Sequence, residues 1–461
     1  MVKIDTTLRT SDLRQQVVRM FELSARKILS LEKSWDSSRG APVFTVAGSY
    51  TSRGWTEWTH GFQFGSALLQ FEATGDRQFL KIGRDGTTAH MARHVSHTGV
   101  HDHGFNIVST YGNLLRMMQE GVIPENEPER RELELALKVS GAVQAARWTD
   151  LPGGMGYIYS FNGPHSLFAD TVRTLRSLAV AYQLGHVLMA EGDSQVDLLH
   201  RLLTHAETTA RYSVYFGKER DAYDVRGRVA HESIFNLNNG SYRCPSTQQG
   251  YSPFSTWTRG LAWILLGFAE QLEFLSTLPK SGFKPNWNKR SVLRRFTDVA
   301  NAVADFYLDE MPADGIPYWD TGAPGLVQLA DYRSKPADPF NDYEPVDSSA
   351  AAIAAQGFFR LGRYHAINGQ RKTGLRYVNA ALTVAQTLLS PPYLSENPRH
   401  QGLILHSIYH RPNNWDHTPS GSRIPRGESS QWGDYHAREL GLLLLREMDS
   451  KSHLAFYSPR K

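Results

Sequence analysis

Helical periodicity recurs along nearly the whole chain and constrains its fold more than any other feature. Apolar residues repeat at helical spacing in about twelve stretches, and the alternation typical of strands is almost absent. We therefore predict an all-α protein. The predicted helices span 12–33, 58–74, 77–96, 103–120, 127–147, 168–191, 194–216, 254–276, 288–308, 346–366, 371–389 and 431–447.

These predicted helices are of two kinds, which alternate. Odd-numbered helices such as 127–147 combine a charged face with an apolar stripe, as surface helices do. Even-numbered helices such as 254–276 and 346–366 are apolar or rich in small residues on most sides, so they must be buried on most sides. Six hairpins that each give one helix to an inner ring and one to an outer ring form an (α/α)6 barrel, which we predict. An open α-solenoid is the alternative, but it normally shows a sequence period, and none is clear.

Composition limits the partners and the location. No Gly/Ser-rich or Pro-rich linker divides 1–461, so we expect a single domain whose first helix begins at about residue 12. A formal net charge of +4 without a dense Lys/Arg run argues against a nucleic-acid partner. No window approaches the apolar length of a membrane span, and the N-terminus has no apolar signal segment, which predicts a cytoplasmic protein. A signal peptide already removed would leave the same sequence, so a periplasmic or secreted location stays open, as does the oligomeric state.

No metal or cofactor is predicted. Cys244 is the single cysteine, which excludes an intramolecular disulfide and a cysteine-based zinc site. His101 and His103 flank Asp102, but a helix would separate them, and no third ligand stands at a recognisable spacing. The phosphate-binding loop, the nucleophile elbow and the dinucleotide fingerprint are all missing from the sequence.

Polar and aromatic residues cluster where the even-numbered helices begin. If these inner helices run in parallel, their starts meet at one mouth of the barrel, and their dipoles favour an anionic ligand there. The pattern therefore predicts an active-site funnel. The stretches concerned are 55–62, 100–106, 166–174, 255–263, 345–351 and 430–440.

The segment 231–263 carries the densest group of candidate binding residues. Arg259 and Trp263 lie four residues apart and share a helix face. A guanidinium beside an indole suits a ligand that has both a carboxylate and a flat ring face, such as an acidic sugar. His231, Gln249 and Trp257 add further binding groups nearby. A helix start packed with core tryptophans is the alternative interpretation.

Asp102 and Asp170 are the candidate catalytic carboxylates. They stand at two neighbouring inner-helix starts, and a pair of carboxylates can carry out acid/base chemistry on a sugar. Each also stands where a helix N-cap would, and capping alone would explain either residue. Asp347 is expected to be a cap rather than a catalyst.

The long irregular segment 406–428 is the last candidate element. It carries Arg411, Arg423 and Arg426, and loops of this length in compact proteins often act as lids or binding elements. Ordinary solvated charge explains the same residues equally well.

Six motifs together resemble the unsaturated glucuronyl hydrolases of glycoside hydrolase family 88. They occur in the order of that family, span roughly residues 55 to 440, and read WTHGF, HDHGF, ADTVRT, QQGYSPFSTWTRGLAW, VDSSAAAIAA and WGDY. The family has an (α/α)6 barrel, in agreement with the helix pattern. The chain departs from the family around 406–430, where it has a longer loop.

The resemblance implies a glycosidase that removes a 4,5-unsaturated uronic acid from oligosaccharides left by polysaccharide lyases. Asp170 would be the general acid/base that protonates C4 and then activates the water that adds at C5, and a raised pKa is expected for it. Asp102 would be its partner in substrate binding. The implied uronate-binding residues are Trp58, His231, Gln249, Trp257, Arg259 and Trp263, and we add His101 as a further candidate binding residue.

Three alternatives stay open at the level of the sequence. Arg411, Arg423 and Arg426 are assigned to the aglycone side only as a hypothesis, because they lie where the chain departs from the family. An unsaturated rhamnogalacturonyl hydrolase or a uronate-acting lyase on the same fold would share part of the pattern. A non-catalytic oligosaccharide-binding barrel is the third alternative.

Overall fold

The computed structural model describes residues 1–54, 57–283 and 285–458, and this part of the chain is mainly helical. Trp55 and Thr56, the first residues of the predicted stretch 55–62, lie outside the described residues. The described α-helices are α1 Arg14–Ser34, α2 His60–Thr74, α3 Arg77–His90, α4 Ala92–Val95, α5 His103–Ile107, α6 Asn113–Gln119, α7 Glu127–Ala146, α8 Thr171–Thr174, α9 Arg176–Gln183, α10 Leu198–Tyr212, α11 Thr258–Thr277, α12 Lys289–Glu310, α13 Ser348–Ile367, α14 Arg371–Leu388 and α15 Gln431–Met448.

The helices form two concentric rings. Each inner helix contacts the next one along the chain, and α15 returns to pack on α2, which closes the ring. The inner ring comprises α2, α5–α6, α8–α9, α11, α13 and α15, and the outer ring comprises α1, α3, α7, α10, α12 and α14. The predicted (α/α)6 barrel is confirmed. None of the described helices is both long and apolar enough to cross a membrane.

Glycines allow the inner helices to approach each other closely. A Cβ atom added to Gly61 of α2 would lie 2.3 Å from the carbonyl oxygen of Asn106, and one added to Gly104 of α5 would lie 2.3 Å from that of Thr174. Any side chain at either position would therefore push neighbouring inner helices apart. The glycines of the WTHGF and HDHGF motifs thus set the spacing of the ring at the helix starts.

Two predicted inner helices differ from the continuous helices expected. Five residues of π-helix, Val108–Gly112, interrupt the helix predicted over 103–120. The helix predicted over 168–191 breaks at Leu175 and ends at Gln183, because Gly185 adopts a left-handed φ of 75° just beyond its end. Both irregular helices lie in the part of the ring that carries the candidate carboxylates.

Nine short strands decorate the described part of the barrel, and the sequence pattern did not predict them. Each has two to five residues, too few for alternation to be visible. They pair into three hairpins and one antiparallel sheet of order β5-β8-β9. The strands are β1 Phe44–Val46, β2 Ser49–Thr51, β3 Trp148–Leu151, β4 Met155–Ile158, β5 Ser166–Phe168, β6 Leu188–Met189, β7 Gln195–Val196, β8 Glu232–Phe235 and β9 Tyr242–Ser246.

Candidate active site

The candidate carboxylates meet across one histidine. His101 Nε2 lies 3.5 Å from Asp170 Oδ2 and 3.7 Å from Asp102 Oδ1. Asp102 precedes α5 and Asp170 precedes α8, which are consecutive members of the inner ring. Two carboxylates and an imidazole therefore share one small volume at the helix starts.

The capping alternative is wrong for the side chains of both candidate carboxylates. Asp102 and Asp170 occupy N-cap positions, but neither carboxylate accepts a hydrogen bond from the backbone of its helix. Asp347 does cap α13, since its Oδ1 accepts a hydrogen bond from Ser349 N at 3.1 Å, as predicted. The oxygens of Asp102 and Asp170 therefore do not serve the ends of their own helices.

Two hydrogen bonds fix His101 between the helices. Its carbonyl oxygen accepts from Thr174 Oγ1 at 2.9 Å and from Gln144 Nε2 at 2.8 Å. Thr174 belongs to α8 and Gln144 to the outer helix α7, so the loop that carries His101 and Asp102 is tied to the helix that follows Asp170. The distance between the two carboxylates is thus set by the barrel itself.

The small sheet brings His231 to the same place. Strand β5 pairs with β8, and Ala169 N donates to His231 O at 2.8 Å, which sets His231 Nε2 3.8 Å from Asp170 Oδ1. His231 Nδ1 accepts from the backbone N–H of Gln248 at 3.1 Å, so in the neutral ring Nε2 carries the proton and points it at Asp170. Burial lowers the pKa of His231 to about 4, which keeps the ring neutral.

The pKa values of the two carboxyl groups are shifted in opposite directions. Burial, with the nearby charge of Asp170, raises the pKa of Asp102 from its ordinary 3.8 to about 6. Burial also acts to raise the pKa of Asp170, but the hydrogen bond from His101 and the neighbouring imidazoles outweigh it, and the pKa is lowered. The expectation of a raised pKa at Asp170 is therefore wrong for the unliganded protein, because the two imidazoles that stabilise its ionised form come from separate chain segments.

Several buried polar atoms of this group have no hydrogen-bond partner among the described residues. They are Asp102 Oδ2, Asp170 Oδ1, His231 Nε2 and His101 Nδ1. Buried polar atoms in folded proteins nearly always have a partner, so a concentration of such atoms indicates a site for a polar ligand. The side chain of Asp170 is 11% exposed and that of Asp102 only 3%, so Asp170 is the carboxylate that a ligand reaches first.

Aromatic rings form a wall beside the carboxylates. The half-buried indole of Trp58 stacks on Trp432 at 5.2 Å, and Phe105 lies 4.8 Å from Trp263. Trp257 packs on His231 at 4.6 Å. Trp257 and Trp263 are almost completely buried, so they support the wall without being open to a ligand. Trp58 is the most exposed of the three predicted tryptophans.

The guanidinium group of Arg259 is not free to bind the carboxylate of a ligand. It is 1% exposed, and its Nη1 pairs with Asp347 Oδ2 at 2.6 Å and also donates to Ile408 O. Its Nη2 donates to Tyr409 O at 2.7 Å and to Gln249 Oε1 at 3.0 Å. The structure does not support the sequence argument that Arg259 binds the uronate through its guanidinium, because both terminal nitrogens already serve protein acceptors. The guanidinium stacks on Trp257 at 4.7 Å rather than on Trp263.

The arginines of 406–428 differ in their surroundings. Arg426 Nη1 donates to Phe340 O at 2.7 Å, so part of its hydrogen-bonding capacity is used within the protein. Arg423 is exposed and Arg411 half-buried, and neither side chain makes a hydrogen bond or ion pair to a described residue. The segment is irregular, as predicted, apart from one 3-10 turn at Arg411–Asn413.

Sequence reasoning missed four residues of the site. Trp432 stacks on Trp58, and His436 lies 4.9 Å from Trp263 with its Nε2 unpartnered among the described residues. Both lie in the stretch 430–440, one helical turn apart, so the helical period could have identified them. Phe161 is 41% exposed and lies 4.6 Å from His101, and Tyr409 packs on Trp432, but both come from irregular loops that give no periodic signal.

The group of His101, Asp102 and Asp170 could also hold a metal ion. One ligand-type atom from each lies within 4.8 Å of the others. The sequence argument against a metal rested on the lack of a third ligand near His101, and the fold supplies Asp170 from 69 residues away in that role. The same three groups are equally suited to holding and moving a proton.

Comparison with known proteins gives a consistent result. No family model matches the chain. The unsaturated glucuronyl hydrolase of Formosa agariphila is 25% identical over 386 residues, which are 83% of this chain and 78% of that protein. The protein of the same name from Bacillus sp. strain GL1 is 25% identical over 391 residues, 85% of this chain and 87% of that protein.

Solved structures agree with the sequence comparison. The crystal structure of the Bacillus sp. GL1 unsaturated glucuronyl hydrolase covers 97% of this chain and 100% of its own, with a TM-score of 0.70 and 22% identity. An unsaturated glucuronyl hydrolase variant solved with dGlcA-Glc-Rha-Glc gives the same TM-score. In sequence, along more than four fifths of its length, and in its barrel fold, this chain is similar to the unsaturated glucuronyl hydrolases.

Proposed function

We propose that the protein releases 4,5-unsaturated uronic acid from the non-reducing end of lyase-generated oligosaccharides by hydrating the C4=C5 double bond. The observation that carries this proposal is the group of Asp170, His101 and Asp102, whose unpartnered oxygens lie beside an aromatic wall. The relatives are named unsaturated glucuronyl hydrolases or unsaturated chondroitin disaccharide hydrolases, which does not favour a rhamnogalacturonyl hydrolase or a lyase.

Asp170 acts first as an acid. In its protonated form it delivers a proton to C4 of the unsaturated ring, and the positive charge that develops at C5 is shared with the ring oxygen. Asp170 is chosen over Asp102 because more of its side chain is accessible to a ligand. General acid catalysis of this kind contributes a factor of roughly 10²–10⁴ to a rate.

Asp170 then acts as a base. Its carboxylate takes a proton from the water that adds at C5, which regenerates the acid and leaves a hydroxyl group on C5. The product is a hemiketal, which opens its ring and releases the aglycone sugar. One carboxylate thus serves both steps, whereas an ordinary glycosidase uses two carboxylates at the anomeric carbon.

Substrate binding supplies the protonation state that this mechanism needs. In the unliganded protein Asp102 has the higher pKa of the two, about 6, so it takes up a proton before Asp170 as the pH falls. A uronate carboxylate beside Asp170 and the loss of water around it both raise the pKa of Asp170. His101 Nε2 lies within 3.7 Å of both carboxylates, so it can stabilise whichever one is ionised.

The uronate subsite would be formed mainly by neutral groups. Gln249 Oε1 accepts from Arg259, which leaves the amide N–H₂ of Gln249 free to donate to the substrate. His231 directs its Nε2 toward Asp170, and Trp58 offers the face of its ring to the sugar. Arg259 acts indirectly, by holding Gln249 and the backbone of Ile408 and Tyr409 in place.

The aglycone side is assigned to the long loop as a proposal. Arg411 and Arg423 have no hydrogen-bonding partner among the described residues, so their guanidinium groups are available to an acidic or sulfated aglycone. Arg426 is a weaker candidate because it is bound to Phe340 O. The assignment of 1–461 to a single catalytic domain, the cytoplasmic location and the exclusion of nucleic acid stay predictions.

The test is turnover by the Asp170→Asn variant on a panel of lyase-generated unsaturated disaccharides, followed by loss of the ultraviolet absorbance of the double bond. We expect kcat to fall by at least roughly 10²–10⁴-fold while the dissociation constant changes little, because asparagine keeps the size but loses the transferable proton. Asp76→Asn is the matched control, since Asp76 caps the outer helix α3 by accepting from Gln78 N at 2.9 Å. A folded Asp170→Asn protein that turns over near the wild-type rate would remove Asp170 from the mechanism.

A further inference from the structure

A cavity of about 480 Å³ opens on the outside of the barrel, and none of the residues that line it belongs to the candidate active site. Its walls are the β3–β4 hairpin, the first turns of α10 and the connection between α11 and α12. The volume falls within the range of roughly 300–1,000 Å³ that is typical of small-molecule sites. The cavity is large enough to be examined as a second binding site.

Arg201 is the unusual residue of this cavity. Its side chain is 19% exposed, yet its guanidinium makes no hydrogen bond to any described residue. Its acidic neighbour is Asp150, whose Oδ1 lies 3.9 Å from Arg201 Nη1, beyond hydrogen-bond distance, and whose side chain is 89% exposed. A guanidinium has five N–H donors in a planar fork, and a mostly buried one normally uses them. Its donors are therefore available to a ligand that brings acceptor oxygens.

Two tryptophans line the same cavity and are held in fixed orientations. Trp148 Nε1 donates to Asp150 Oδ1 at 2.7 Å, and the guanidinium of Arg201 lies 4.0 Å from the centre of a Trp148 ring. Trp287 Nε1 donates to His200 Nδ1 at 2.9 Å. Because Nδ1 of His200 accepts a hydrogen bond, the proton of the neutral ring lies on Nε2, which supplies a further donor. The cavity thus combines ordered indoles with unused donors.

From this juxtaposition we propose that the cavity is a second, non-catalytic saccharide site that takes a uronate-bearing sugar unit. Arg201 binds the carboxylate with its planar fork, and Trp287 packs against the face of the sugar ring. His200 donates to a hydroxyl group. The choice of a uronate rests on the proposed function, whereas the cavity and its free donors do not. A site of this kind would hold the enzyme on the parent acidic polysaccharide, where lyases release the unsaturated ends.

The test measures binding of a ligand that lacks the unsaturated end. The probes are hyaluronan, a saturated glucuronate polymer, in affinity gel electrophoresis and a saturated hyaluronan tetrasaccharide in titration calorimetry, with dextran as the neutral comparison. The variants are Arg201→Ala, Arg201→Lys and Trp287→Ala. Arg211→Ala is the matched control, because Arg211 is an exposed arginine on the same helix, outside the cavity. Turnover of an unsaturated disaccharide is measured for every variant.

We expect Arg201→Ala and Trp287→Ala to weaken binding of hyaluronan at least about tenfold, as loss of a central binding residue does. The ratio kcat/KM for the disaccharide should stay within about twofold of the wild-type value for Arg201→Ala, and Arg211→Ala should change neither quantity. Arg201→Lys keeps the charge and the aliphatic packing but loses the fork, so it should bind more weakly than wild type even if the alanine variant folds poorly. Failure of the wild type to bind hyaluronan, or wild-type affinity in both Arg201 variants, would overturn the inference.

Equal retention by dextran would overturn the assignment to uronates. The two proposals fail in different ways. If unsaturated disaccharides were not cleaved but hyaluronan still bound through Arg201, the proposed function alone would be wrong. If the disaccharides were cleaved and hyaluronan binding did not depend on Arg201, the second site alone would be wrong.

Discussion

Replacing Asp102 with asparagine should make the protein more stable at pH 8 even as it impairs activity. The pKa of Asp102 is raised to about 6 by burial and by the nearby Asp170, against an ordinary value of 3.8. Because the folded-state pKa is the higher one, the contribution of this group to stability is complete below about pH 4 and is lost as the pH rises through about 6. The difference between the two pKa values corresponds to about 3 kcal/mol, at roughly 1.36 kcal/mol for each pH unit.

Thermal unfolding across pH measures this effect. For a chain of 461 residues, an unfolding entropy of roughly 2.1 cal/mol/K per residue converts about 3 kcal/mol into a rise in Tm of about 3 °C at pH 8. At pH 5 the stabilisation of Asp102→Asn should be about half as large, since Asp102 of the folded wild type is then mostly protonated. The activity of the variant should fall because the carboxylate that lies 3.7 Å from His101 Nε2 is lost.

Asp170→Asn is the control of opposite sign. The pKa of Asp170 is lowered, so its carboxylate stabilises the fold above its ordinary pKa, and asparagine should bring no gain at pH 8. Two results would refute the reasoning. One is an Asp102→Asn protein no more stable than wild type at pH 8, and the other is a gain of the same size at pH 5 and pH 8.

Four further predictions concern the substrate, the ion pair of Arg259 with Asp347, the long loop 406–428 and the possible metal site. A saturated aryl glucuronide should be cleaved at least roughly 100-fold more slowly than its unsaturated counterpart, and equal rates would exclude hydration of the double bond. Asp347→Asn should cost about 3–5 kcal/mol of unfolding free energy, because it leaves Arg259 buried without its counter-ion, and an unchanged Tm would disprove this. Arg423→Ala should raise KM more for sulfated than for neutral aglycones, and added salt should reduce this difference. An equal effect on both substrate classes would mean that Arg423 is an ordinary solvated surface residue. Dialysis against a chelator should leave turnover unchanged, and loss of activity restored by a divalent cation would instead assign a metal to His101, Asp102 and Asp170.

The barrel was predictable because the pattern of apolar and charged residues within a helix indicates how much of that helix is buried. Helix α13 is buried at every residue from Ser348 to Gly362, whereas α7 buries a stripe and exposes a charged face. Each pattern can be recognised without knowing what the helix packs against. The breaks were not predictable in the same way, since the π segment Val108–Gly112 consists of residues that a continuous helix would also accept.

The candidate site was predictable where its residues are neighbours in sequence. His101 and Asp102 are adjacent, and Asp170 stands at the next inner-helix start, so the idea of convergence sufficed to group them. The lowered pKa of Asp170 depends on His101 and also on His231, which reaches Asp170 through the pairing of β5 with β8, two strands too short to be predicted. Asp347, the ion-pair partner of Arg259, is 88 residues away in the chain, and the sequence around Arg259 does not indicate this pairing.

Arg259 is held in an ion pair within the protein, and this affects the protonation of Asp170. A guanidinium free to pair with the uronate would cancel much of the negative charge that Asp170 must experience to take up a proton. In this structure the charge of Arg259 is instead matched by Asp347, and the guanidinium braces Gln249 and the backbone of Tyr409. Neutral donors such as Gln249 can hold the uronate and leave more of its charge uncompensated. The arrangement that weakens Arg259 as a ligand-binding residue therefore helps substrate binding to raise the pKa of Asp170.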